Sequence, residues 1–219
     1  MSKVNTIGRK ESWKSFLSSS VARFELIGGS VLVAILLGAM PFFFNSIEKR
    51  PGIRLNDWVL DQIPAHNVSF LIFAIIWGMG ALALVRAAKR PGMYVTFVWA
   101  YSFIILVRFC TISMIKLDPP AGLINLVDPI TGLFYGGNVI TKDLFFSGHT
   151  ATLFLIFLTL QKKTDRIIGL IAVIAVGILL LVQHVHYTLD VIVAPIAVYP
   201  IFKLVKAMLG DHSPANERK

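Results

Sequence analysis

Charge is what this sequence has least of. Asp, Glu, Lys and Arg make up only 15% of its 219 residues, against roughly 25% in an ordinary soluble domain. With 56% hydrophobic residues and a mean hydropathy of +0.73, a conventional water-exposed surface is excluded. Acid is scarcer than base, 12 residues against 21, for a formal net charge of +9. Cysteine is nearly absent. Cys110 stands alone, so an internal disulfide is impossible and a thiolate metal cluster is a poor expectation. It lies within an apolar run, where a buried inert thiol is expected. Internal repeats and low-complexity linkers are also lacking, which leaves one domain as the simplest organisation.

What is present in their place is a series of long apolar runs. A helix needs about 20 apolar residues to cross the hydrocarbon core. Six candidates follow: Phe24 to Phe44, Val68 to Ala88, Met93 to Ile115, a shorter one from about Leu144 to Leu160, Ile167 to Gln183, and Tyr187 to Leu209. The last contains Pro195 and Pro200, which membrane helices tolerate. Residues 1–23 are polar and basic, and the run after them is too long for a signal-peptide core, so a cleavable leader is not expected.

The basic residues sit in short clusters between apolar runs: the N-terminal segment, then Arg86, Lys89 and Arg90, then Lys162, Lys163 and Arg166, then Lys203, Lys206, Arg218 and Lys219. With six spans these all fall on one side, which the positive-inside rule makes cytoplasmic. The alternate loops mix acids and bases. The expectation is an all-α membrane protein with six transmembrane helices and both termini cytoplasmic. Residues 1–23 form a cytoplasmic segment, 24–209 the membrane catalytic domain and 210–219 a cytoplasmic tail. Clusters of this kind favour a membrane surface over nucleic acid as the anionic partner.

Ionisable groups within or at the ends of such helices are functional candidates by default. One cluster is Asp143-Leu-Phe-Phe-Ser147-Gly148-His149-Thr150, entering span four. Ser147 and Gly148 suit a helix start, whose free amides make an anion site. Gly148 would let a ligand approach the backbone. The other cluster is His184-Val-His186-Tyr187-Thr188-Leu-Asp190, entering span six. His186 and Asp190 share a helix face, and a carboxylate there can hold one ring N–H and leave the other nitrogen as a nucleophile. Two crossings separate His149 from His186, so both should sit at the same, non-cytoplasmic face. A metal site from His149, His184, His186 and Asp190 is a weaker reading, because His184 and His186 are two apart and point to different sides of a helix. His66 and His212 read as headgroup contacts.

The segments Phe146-Ser-Gly-His-Thr150 and His186-Tyr-Thr-Leu-Asp-Val191 resemble the two catalytic motifs of the sphingomyelin synthases, a branch of the type 2 phosphatidic acid phosphatase superfamily. Arg108-Phe-Cys-Thr111 through Leu117-Asp-Pro119 resembles that branch's motif at the end of span three. Arg54-Leu-Asn-Asp57 is similar to its motif after span one, and Gly136-Gly137 falls where it has a glycine-rich loop. The resemblance covers roughly residues 50–200. It implies a metal-independent, cofactor-free transfer with His186 as nucleophile, Asp190 as its orienter and His149 as acid and base. Arg108, Lys142, Asp143, Ser147, Gly148 and Tyr187 are the expected phosphate- or substrate-binding set. The implied donor is a phospholipid or lipid phosphate, with ceramide or diacylglycerol as candidate acceptors.

The sequence also departs from the patterns it resembles. The phosphatase lysine before Arg90-Pro91 is Ala83, and Leu179-Leu180 stands where the phosphatases have Ser-Arg before the second histidine. Thr141-Lys142-Asp143 replaces Cys-Gly-Asp of the synthases, and the added Lys142 would suit a more highly charged phosphate. A lipid phosphatase or phospholipase C using water, and a transporter, are the rival expectations. The short chain suggests a bacterial member in the inner membrane.

Overall fold

The computed structural model describes residues 12–126 and 140–210. Gly136-Gly137, His212 and most of the expected terminal segments lie outside the described residues.

Every regular element described is helical; the nearest approach to a sheet is a single bridge between Ile53 and Leu117. A one-turn helix α1 (Trp13–Phe16) leads into α2 (Ser20–Glu48), followed by α3 (Ser69–Ala87), α4 (Pro91–Met114), α5 (Gly148–Thr159), α6 (Lys163–Val182) and α7 (Thr188–Leu209). α2, α3, α4, α6 and α7 are long and apolar enough to cross a membrane. The chain is an integral membrane protein. Their outward faces carry exposed Phe24, Ile35, Phe42, Phe70, Leu84, Ile171 and Ile196, as a lipid solvent permits.

The expected fourth span is the exception. Its helix starts at Gly148, not Leu144, and its 12 residues give only ~18 Å at ~1.5 Å per residue, short of the ~30 Å core. Residues 140–147 are non-helical and fastened from the side. Arg108 Nε donates to the Phe146 carbonyl (3.0 Å), Thr111 Oγ1 to the Phe145 carbonyl (3.0 Å), and the Thr141 and Lys142 amides to Glu48 (3.0 and 3.1 Å). Ser147 Oγ then accepts the Thr150 amide and caps the helix.

The short helix is also the hub. α5 packs on α3, α4, α6 and α7, whereas α2 packs broadly on α4 alone. Gly29 permits that last contact: a Cβ there would lie 2.8 Å from the Trp99 ring. Cys110, expected inside, is exposed on α4. Its apolar run meets lipid as well as protein, so an apolar neighbourhood in sequence does not imply burial. Pro41, Pro195 and Pro200 sit inside helices that continue through them. At the end of the bundle away from the histidines, Arg86 grips Asp165 through Nε (2.6 Å) and Nη2 (3.0 Å).

Candidate active site

His186 precedes the first turn of α7, and Asp190 lies within that turn, fully buried. The two side chains meet, but not as neighbours on one helix face: His186 lies outside the helix, and Asp190, its third residue, reaches back past Tyr187. His186 Nδ1 lies 3.3 Å from Asp190 Oδ2, and the same oxygen accepts the Tyr187 amide at 3.1 Å. With Nδ1 turned to the carboxylate, Nε2 is the nitrogen left for chemistry. The Ser147 amide donates to the Asp190 carbonyl (3.1 Å). The starts of α5 and α7 are thereby tied together, and the His149 and His186 ring centres stand 6.3 Å apart.

Both histidines line a cavity of about 850 Å³ that runs between α2, α3, α4 and α5. Arg108, Asp143 and Gly148 line it at the same end. The Arg108 guanidinium is buried and paired with Asp143 through Nη2. Away from this polar end the wall is apolar, formed by residues such as Leu37, Phe73, Trp77, Phe97 and Ile156. On α4 alone it extends from Arg108 to Met93, ~22 Å of helix at ~1.5 Å per residue.

The remaining expected residues divide sharply. Gly148 is needed for a protein contact: a Cβ would come within 2.8 Å of Arg108 Cζ, so the missing side chain makes room for the guanidinium. Ser147 is spent on its cap. Tyr187 is buried; its hydroxyl donates to the Asp118 carbonyl (2.8 Å) and accepts the Leu55 amide (3.1 Å). Lys142 is not brought to the cavity. Its ammonium bonds Asp118 Oδ1 (2.8 Å) and the Arg50 carbonyl. That lysine holds the Asp118 carboxyl below its ordinary range. The added charge is consumed by a loop-to-loop bond.

His184 is turned to two loop carbonyls, Ala121 through Nδ1 (2.8 Å) and Ile63 through Nε2 (2.9 Å). It does not join His149 and His186 in a metal-binding group, and among the described residues no cluster of three or more His, Cys, Asp or Glu is placed to hold an ion.

Three positioning residues escaped the sequence reading in whole or part. Asp57 accepts the Thr188 amide (2.6 Å) and hydroxyl (3.0 Å), as well as the Val59 and Leu60 amides, and so ties the loop after α2 to the start of α7. Burial pushes its carboxyl up, but these hydrogen bonds outweigh it and the net shift is down. Glu48 holds Thr141 and Lys142. Gln183, fully buried, accepts the Val68 amide and donates to Ser69 Oγ and the Ile124 carbonyl. A Gln at the end of an apolar run was the available signal for the last. Glu48, at the end of α2, and Asp57, in the loop after it, stand among other charged residues in sequence.

Comparison with known proteins bears on this arrangement. Residues 142–208, which hold both histidines and Asp190, match the family described as PAP2 superfamily C-terminal. The chain is also homologous to phosphatidylcholine:ceramide cholinephosphotransferase 2. It is 36% identical to the Homo sapiens protein, 36% to that of Macaca fascicularis and 26% to that of Rattus norvegicus, with 95% of this chain aligned in each case. The chain spans about 61% of the length of these relatives. The PAP2 match starts at Lys142 and so omits Arg108, Asp57 and Glu48, which the fold brings to the same end.

Proposed function

We propose that this protein is a lipid phosphotransferase that carries a phosphorylated headgroup from a phospholipid to a lipid alcohol through His186. The observation that carries this reading is the pairing at His186. One ring nitrogen is turned to a buried carboxylate, and the ring lines the same cavity as His149 and Arg108. In the proposed first half-reaction Nε2 attacks phosphorus, the phosphorus–oxygen bond to the diacylglycerol breaks, and His149 protonates the departing oxygen. In the second, His149 takes a proton from the acceptor hydroxyl, whose oxygen displaces Nε2 from phosphorus. Arg108 stands where it can offset charge on the phosphoryl oxygens. Asp190 stabilises the charged imidazole and keeps its orientation. The residues required for this chemistry are the chain's own side chains.

The apolar depth of the cavity favours lipid partners over water-soluble ones. α2 and α3 flank it without packing broadly on each other, which offers acyl chains a lateral route. The homologous enzymes are named for phosphatidylcholine and ceramide, and transfer to an alcohol such as ceramide or diacylglycerol is the favoured outcome. Hydrolysis by the same intermediate, with water as acceptor, is the alternative. For topology we propose six crossings with the short α5 and the chain leading into it completing the fourth. The basic ends at Arg86 to Arg90, Lys162 to Arg166 and Lys203 to Lys206 would face the cytoplasm, and the histidines the opposite side.

The test is product analysis. Purified protein is incubated with phosphatidylcholine, phosphatidylethanolamine or phosphatidic acid, with and without ceramide or diacylglycerol. Transfer predicts a headgroup-bearing acceptor lipid by mass spectrometry. Free headgroup or phosphate regardless of acceptor would establish the hydrolytic alternative, and no turnover of any donor would sink both.

A further inference from the structure

A groove of mixed chemistry lies at the end of the bundle away from the histidines. Where α5 gives way to α6 there is a groove of about 340 Å³ lined by Phe157, Gln161, Lys163, Arg166, Ile167 and Leu170. Its two ends differ in chemistry. At one, Lys163 and Arg166 present cations. Arg166 is held in place with its guanidinium carbon 5.2 Å from the centre of the Phe157 ring, which fixes the charge without neutralising it. The nearby carboxylate in sequence, Asp165, is buried and already clamped by both Nε and Nη2 of Arg86. Neither Lys163 nor Arg166 has a carboxylate partner among the described residues, and Lys162 adds a third cation beside them. At the other end the groove runs onto Ile167 and Leu170, both exposed. In a membrane-spanning helix, exposed apolar residues of this kind meet acyl chains.

We propose that this groove binds one anionic phospholipid from the leaflet at that end, with its phosphate between Lys163 and Arg166 and an acyl chain along Ile167 and Leu170. The order cation, then apolar wall, along one helix face matches the order phosphate, then chain, in a phospholipid. The excess of base over acid selects a headgroup with net negative charge over a zwitterionic one. The groove lies at the opposite end of α5 from His149 and does not open onto the catalytic cavity, so its occupant is a bound lipid and not the reacting one. Its role is to brace the junction of α5 and α6, the hub helix and its neighbour.

The experiment uses the full chain purified into nanodiscs of phosphatidylcholine doped with phosphatidylglycerol, with native mass spectrometry counting the phosphatidylglycerol that stays bound. The wild type should retain one such lipid in preference to phosphatidylcholine. Lys163→Gln with Arg166→Gln should weaken retention about thirtyfold, as expected for two basic side chains near a membrane surface. Lys163→Arg with Arg166→Lys should retain it, which separates lost charge from lost fold. Lys203→Gln with Lys206→Gln removes equal charge from the same end and should leave retention unchanged. Equal loss in the two Gln pairs would reduce the effect to general surface charge and overturn the site. So would retention of phosphatidylcholine as strong as that of phosphatidylglycerol, or competition by inorganic phosphate alone.

Discussion

At the scale of single residues, several polar groups at the histidine end are held in direction by a specific partner. Asp190 faces His186, Asp143 faces Arg108, and Asp57 reaches Thr188 in the first turn of α7, the turn that carries Asp190. Asp57 yields a pH prediction. Its carboxyl is held below the ordinary value of 3.8, so its bonds to Thr188 contribute fully above that value. They are lost as the pH falls through the lowered folded value. Asp57→Asn should therefore lower thermal stability at neutral pH by about 1–3 kcal/mol and remove the part of the acid destabilisation that belongs to this site. The readout is a melting series in detergent from neutral to acid pH. An unchanged acid limb in the variant would show that another group controls it.

At the scale of elements, the decisive feature is that the helix bearing His149 is short. The apolar pattern located the five long helices to within a few residues, because a lipid-facing surface demands apolar side chains over a fixed length. The same logic failed at Leu144 to Ser147, where the chain is pinned outside a helix by Arg108 and Thr111, with Glu48 holding Thr141 and Lys142 just before. Those partners come from α2 and α4, far away in sequence, and no local pattern reports them. The motif spacing did reveal the His186–Asp190 pair, although His186 precedes the helix and the contact is made by Asp190 reaching back from the first turn. It could not reveal that Lys142 is spent on Asp118, or that Gly148 serves Arg108. The glycine can be tested. Gly148→Ala places a methyl where the guanidinium lies, and should lower kcat while the protein still folds and binds lipid. Full activity in this variant would show that the close Arg108 contact is dispensable.

At the scale of the whole molecule, a polar end holding two histidines opens into an apolar cavity bounded by four helices, one of them, α2, attached through α4. This design suits a reaction in which the reactive phosphate is held at one end and greasy chains are stored behind it. Gly80 lines the cavity, and a Cβ there would meet nothing within 4 Å. Gly80→Phe should therefore fold normally and fill part of the space. Turnover of long-chain donors should fall at least tenfold, while a short-chain, water-soluble analogue should react nearly as before. Equal loss for both substrates would remove the cavity from the account.

The proposed reaction depends on covalent transfer through His186. The most direct measurement is to quench the protein during turnover of a phospholipid labelled in its headgroup, digest it, and map the acid-labile adduct by mass spectrometry. A phosphoryl-headgroup is expected on His186, present in the wild type, accumulating when the acceptor lipid is withheld, and missing from His186→Ala together with all turnover. Turnover that survives in His186→Ala, or an adduct on another residue, would contradict it.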